Sequence, residues 1–86
     1  MAEALIGKVT HYFAKPQVAA VVITDGELHV GDTVHFVGHT SDFTEKIDSM
    51  QVNHAPVQVA KVGDEIGVHT SQHAREHDQV YRVTPD

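Results

Sequence analysis

One short turn sequence is written three times in this chain, and it leaves few folds open. It reads His29-Val30-Gly31-Asp32-Thr33-Val34, then Lys61-Val62-Gly63-Asp64-Glu65-Ile66, then Arg75-Glu76-His77-Asp78-Gln79-Val80. Two copies carry Gly-Asp and the third His-Asp, each followed by one polar residue and then Val or Ile. Glycine reaches positive φ without a Cβ clash, and the following Asp can fold its carboxylate back onto backbone N–H groups. Histidine is among the non-glycine types enriched at positive φ, so His77 takes the place of the missing glycine. Gly31, Asp32, Gly63, Asp64, His77 and Asp78 are therefore expected to build three sharp turns, each opening a strand.

The rest of the chain alternates with a period of two. Residues 5–13 place Leu5, Gly7, Val9, His11 and Phe13 on one face, which is strand patterning. Pro16 cannot donate to a ladder and pushes Lys15 to an extended conformation, so residues 14–17 turn. Residues 18–24 are apolar enough to be buried on both faces, and Asp25-Gly26 is a hairpin signal. Residues 33–37 alternate, 38–42 form a polar loop, and 44–53 read as one longer strand with a bulge, because Ile47, Met50 and Val52 break the alternation. His54-Ala55-Pro56 turns the chain, and residues 65–69 and 79–83 supply the last strands. Residues 70–78 have no apolar face and are expected as a loop. Six or seven short strands at intervals of about ten residues predict an all-β, small antiparallel Greek-key barrel. Closure is favoured because an open sheet of this size leaves two edges exposed.

Composition narrows the function classes. A chain of 86 residues is expected to be a single domain, residues 1–86, and to bury roughly 60–65% of its unfolded surface. It has no cysteine, which excludes disulfides, zinc-thiolate sites and thiol nucleophiles. The longest strongly apolar stretch, Val18-Ala19-Ala20-Val21-Val22-Ile23, is far short of a membrane span, and Met1-Ala2-Glu3-Ala4 lacks the basic opening of a signal peptide. A cytoplasmic protein with no membrane partner is expected. Twelve acidic against six basic residues give a net charge of −6, and Lys8, Lys15, Lys46, Lys61, Arg75 and Arg82 form no stripe. That field repels nucleic acid at neutral pH. Protonating all eight histidines would carry the charge to about +2.

Four separate stretches together resemble one known family. They are Gly7-Lys8-Val9; Val21 with Val22-Ile23-Thr24-Asp25-Gly26-Glu27-Leu28-His29-Val30-Gly31-Asp32-Thr33-Val34; Ile47-Asp48-Ser49-Met50-Gln51-Val52-Asn53-His54; and Ala60-Lys61-Val62-Gly63-Asp64-Glu65-Ile66-Gly67-Val68. In order and spacing they resemble the second domain of translational GTPases of the elongation factor Tu and elongation factor 1-alpha type. The likeness is closer to the C-terminal barrel of collagenase-type peptidase-like proteins, some of which act in RNA modification, and the Gly38-His39-Thr40-Ser41-Asp42-Phe43 loop fits that subgroup. The resemblance implies the barrel, and a link to the translation or RNA-modification machinery. The GTPase activity of those factors resides in another domain, and no Gly-x-x-x-x-Gly-Lys-Ser/Thr loop occurs here, so no nucleotide is expected to bind.

In elongation factor Tu the second domain helps hold the acceptor end of aminoacyl-tRNA. The resemblance carries that face to Lys15, Gln17, Met50, Gln51 and Val52, with Gln51 where the family has a glutamate and either Asn53 or no counterpart where it has a basic residue. Read from the residues alone, Gln51 is first a solvent-facing strand residue and only second a contact to a ribose or base edge. Core packing is the first reading of the aromatics, with Phe43 and Tyr12 as stacking platforms the alternative. His69, His73 and His77 recur every four residues, a spacing that on a helix suits zinc or nickel. A helix there would destroy the third turn, so no metal and no other cofactor is expected. No Ser stands in a nucleophile elbow, and Asp32, Asp64 and Asp78 read as turn builders. The expected function is that of a non-catalytic module binding a protein or ribonucleoprotein partner. The alternatives are weak direct binding of tRNA or rRNA, and a His-rich metal- or pH-responsive protein.

Overall fold

The computed structural model describes residues 2–84. Ten strands occur among them, all paired antiparallel: β1 (Ala2–Phe13), β2 (Val18–Ile23), β3 (Glu27–His29), β4 (Thr33–Val37), β5 (Asp42–Lys46), β6 (Met50–Val52), β7 (Ala55–Val57), β8 (Val59–Lys61), β9 (Glu65–His69) and β10 (Gln79–Thr84). Six of them have five or more residues and four have three, so the expected six or seven are the long ones. Their order in the main sheet is β5-β4-β10-β1-β2-β9-β6-β7, with β3 and β8 paired separately. The last long strand thus lies between the first and the fourth, which is Greek-key rather than meander connectivity. Glu45 of β5 accepts the Ser71 N–H (2.6 Å) and hydroxyl (3.0 Å), bringing one end of the ladder against the loop that leaves β9. The sheet curls on itself around Phe36, Val34, Ile66, Val68, Val21 and Leu28, all 0–1% exposed.

The three turns share one set of hydrogen bonds. Residue 29, 61 or 75 donates its N–H to the Oδ2 of the Asp three places on, at 2.9 Å in each copy. That Asp returns its own N–H to the C=O of the first residue, at 3.0, 2.9 and 3.1 Å. The third residue has positive φ: 100° at Gly31, 95° at Gly63 and 74° at His77. This is the pattern of a type II turn. Each turn also grips a distant buried residue. Gly31 donates to Ile47 C=O while Ile47 donates to Asp32 C=O; Gly63 and Asp64 hold Ile23 likewise, and His77 and Asp78 hold Val9. Because nothing lies within 4 Å of a Cβ added at Gly31, the cost of a side chain there is backbone strain alone. Gly31→Val is expected to lower stability by about 1 kcal/mol or more, read from the urea midpoint, with Gly31→Ala less affected. A Val variant as stable as the parent would contradict this.

Several local expectations are corrected. The first strand does not keep one face, because bulges between Leu5 and Gly7 and between Val9 and His11 each add a residue and switch the parity. Ile6 is buried, and Leu5 points out at 39% exposure. The strand expected over residues 44–53 is two strands. After Lys46 the chain leaves the ladder so that Ile47 can enter the core and bond the first turn, and β6 then pairs with β9 and β7. In β2 only Ala19, Val21 and Ile23 are buried, while Val18, Ala20 and Val22 form a half-buried outer face. Residues 70–78 contain no helix.

Candidate binding groove and surface clusters

Two hairpin turns stand on either side of the outer face of β2, β9 and β6. The β1–β2 turn, residues 14–17, carries Pro16 and ends at Gln17, whose φ is 57° and whose C=O accepts the Thr70 N–H at 2.9 Å. The β6–β7 turn is two residues long, and Asn53 and His54 both have positive φ, 52° and 65°. Two consecutive residues of that kind make a type I′ turn, which matches the twist of the strands it joins. Between the turns lies an open groove of about 770 Å³. Ala20 and Gly67, which are ladder partners, form its floor. Phe13, Pro16 and Val18 line one side, Gln51, Val52, Asn53 and His54 the other, and Asp64 and Glu65 stand among the lining residues. Phe13 is 49% exposed, with the His11 ring edge-on to it at 4.5 Å between centroids.

The residues singled out from the sequence divide across this geometry. Gln51 and Val52 line the groove, and the exposed Lys15 and Gln17 stand on the turn beside it. Met50 does not reach it. Strand alternation turns Met50 inward opposite Val68, at 1% exposure, so it is a core residue and not a contact residue. Phe43 is likewise corrected: it is 8% exposed and stacks on Phe36 with centroids 4.9 Å apart and planes 13° off parallel. Tyr12 packs partly against the core and against the His73 ring, 4.4 Å between centroids. Sequence reasoning missed Phe13, Pro16, His54 and the Ala20–Gly67 floor. The available signal was an aromatic ending a strand immediately before a proline turn.

The histidine alternative also changes. His69 ends β9, His73 packs on Tyr12, and His77 sits in the third turn with its N–H on Val9 C=O. Helical spacing has no meaning along this loop. Among the described residues no group of three His, Asp or Glu side chains is placed to hold a metal ion. The histidine held most closely is His35, on β4. Its Nε2 lies 2.5 Å from Asp42 Oδ1 on β5, and its Nδ1 lies 2.9 and 3.1 Å from the two oxygens of Glu3 on β1. Hydrogen bonds to Asp42 and then to Glu3 hold its pKa above the ordinary value of 6.5. The folded protein therefore prefers the imidazolium, whose contribution is complete below pH 6.5 and fades as pH rises through the raised value. The melting temperature of the parent should fall by a few degrees more than that of His35→Gln between about pH 6 and pH 9. Equal falls, read by circular dichroism, would contradict the assignment.

No helix among the described residues is long and apolar enough to cross a membrane.

Known proteins match this arrangement from two directions. The family model for elongation factor Tu domain 2 matches residues 17–77. An uncharacterized protease of Methanocaldococcus jannaschii is 38% identical over 77 residues, which cover 88% of this chain and 19% of that protein. A collagenase of Porphyromonas gingivalis is 31% identical over 78 residues, 90% of this chain and 22% of the collagenase. The chain thus spans about a fifth of the length of these relatives. Among solved structures, the C-terminal domain of a U32-peptidase-type protein from Geobacillus thermoleovorans superposes with a TM-score of 0.86 at 17% identity, covering 93% of this chain and 92% of that domain. Its selenomethionine form gives 0.83 at 18% identity, covering 90% and 96%.

Proposed function

Because the chain belongs to the elongation factor Tu domain 2 family, we propose that it works as a non-catalytic binding domain. Its partner is a protein or ribonucleoprotein of the translation or RNA-modification machinery, and the groove between the two hairpin turns is the contact face. The activities that the relatives' names state are then those of the remaining four-fifths of their length, with this stretch supplying recognition. The observation that carries the reading is Phe13, a half-exposed aromatic beside a groove with a small-residue floor. Aromatic residues are enriched at protein–protein interfaces, and concave sites with apolar lining are where ligands dock.

Direct RNA contact is kept as a second reading because Gln51 lines the groove, where its amide can meet a ribose or base edge. Charge weakens it. The lining holds Asp64 and Glu65 and neither Lys nor Arg, in a chain of net charge −6. Any affinity for tRNA should be micromolar or weaker, with a shallow salt slope of about −1 to −3, and should tighten as pH falls towards about 6. Capture of partners from lysate by the whole chain, with and without RNase, tests both readings. Partners that survive RNase but are lost with Phe13→Ala support the protein reading. Loss of every partner on RNase treatment supports the RNA reading, and partners indifferent to Phe13→Ala overturn the assignment of the groove.

A further inference from the structure

We propose that the groove takes an extended peptide segment in which one apolar side chain is flanked by lysine or arginine. This rests on the reading of the chain as a binding domain and adds the chemistry of the occupant. The floor sets the first half of that chemistry. Gly67 offers bare backbone opposite Ala20, and a Cβ placed there would lie 3.4 Å from Val18 Cγ1, an ordinary contact. The missing side chain therefore leaves a recess rather than relieving a clash. Phe13 and Pro16 on one side and Val52 on the other give that recess apolar walls suited to an aliphatic or aromatic side chain.

The charges set the second half. Glu65 and Asp64 are the charged residues of the lining apart from His54, if protonated. Asp64 is committed through Oδ2 to its own turn, and Glu65 Oε2 accepts the Thr10 hydroxyl at 2.8 Å. A phosphate-bearing ligand would enter a field of its own sign, whereas a cationic flank would find the exposed Glu65 carboxylate within reach. The backbone fixes the edges of the groove. Of the four non-glycine residues with positive φ among the described residues, Gln17, Asn53 and His54 stand on the two turns that flank this groove. These are turn conformations, and they fix the position of the groove's two edges.

The test uses the whole isotope-labelled chain and three probes. These are short fluorescent peptides with a central Leu, Phe or Met flanked by Lys and Arg; the same peptides flanked by Asp and Glu; and a single-stranded RNA of mixed sequence. The basic set should bind about tenfold more tightly than the acidic set, and shift the amides of Ala20, Gly67 and Val52. Phe13→Ala, and Gly67→Ala, which fills the recess, should each weaken it by about tenfold. Glu65→Lys should weaken the basic set by about three- to fivefold and strengthen the acidic one. Melting curves establish that each variant is folded, and the half-exposed Phe13 keeps the test decisive should Gly67→Ala prove unstable. No binding of the basic set at millimolar concentration, equal binding of the two peptide sets, or tighter binding of RNA overturns the proposal. If Phe13→Ala still releases the partners captured from lysate, only the peptide chemistry has failed. If it retains them, the binding face itself is misplaced.

Discussion

Gly7→Ala is expected to unfold a large share of the molecule at temperatures the parent tolerates. A Cβ at Gly7 would be driven into the backbone oxygen of Val22 on the neighbouring strand, closer than any real contact, with the Val22 carbonyl carbon next nearest. Neither atom belongs to a side chain that can swing away, so β1 and β2 must part. Their ladder runs from Gly7 paired with Ile23 to Phe13 paired with Val18, and both strands contribute to the core. A loss of about 3 kcal/mol or more follows from overpacking of this kind. A chain of this length has a total stability of roughly 4–13 kcal/mol. The expected fall in melting temperature is about 15 °C or more. Urea titration of Gly7→Ala would refute the packing argument if the midpoint stayed within experimental error of the parent.

The second large effect separates three identical bonds by their surroundings. Asp32, Asp64 and Asp78 accept the same N–H at the same 2.9 Å, yet Asp78 is 3% exposed and the other two are half-buried. Removing an acceptor leaves the N–H to water where water can reach it, and strands it where water cannot. Asp32→Ala and Asp64→Ala are expected to cost about 1 kcal/mol each, and Asp78→Ala about 2–3 kcal/mol. Asp78 also fills the space that a side chain at Gly38 would need, so its loss opens the contact between the third turn and the end of β4. Three equal losses by chemical denaturation would mean that turn geometry, and not burial, sets the cost.

Those turns were the most legible part of the sequence, because a positive-φ residue followed by Asp is a local signal and each copy stands alone. His77 was readable for the same reason, since its neighbours repeated the pattern of Gly31 and Gly63. Face assignments were less legible wherever the chain changes parity without a turn residue. Nothing in the string Leu5-Ile6-Gly7 announces that Ile6 and not Leu5 enters the core. That is fixed by the bulge against β10, a long-range pairing. Ile47 shows the same limit, because its departure from the ladder is explained only by the first turn that captures it. Of the residues named from the sequence, Gln51 and Val52 line the groove, whereas Met50 and Phe43 pack in the core. Alternation alone cannot tell which side of a short strand faces the barrel interior. Phe13 was legible only as the residue that ends the first strand, because its exposure depends on a strand end that the sequence places but does not orient.

The way each turn grips a residue elsewhere in the chain also bears on the order in which the molecule assembles. Gly31 reaches forward only as far as Ile47, Gly63 reaches back to Ile23, and His77 reaches back almost the whole chain to Val9. The entropy lost in closing a loop grows with its length, so these three clasps become progressively harder to fasten. The first can form while most of the polypeptide is still disordered. The third must wait until residues 9 and 77 are brought together, and it fixes β1 beside β10, the pair on which the central part of the ladder depends. A topology so rich in distant contacts folds slowly for its size. The clasp between His77 and Val9 closes the longest loop of the three, and it is the one expected to form last.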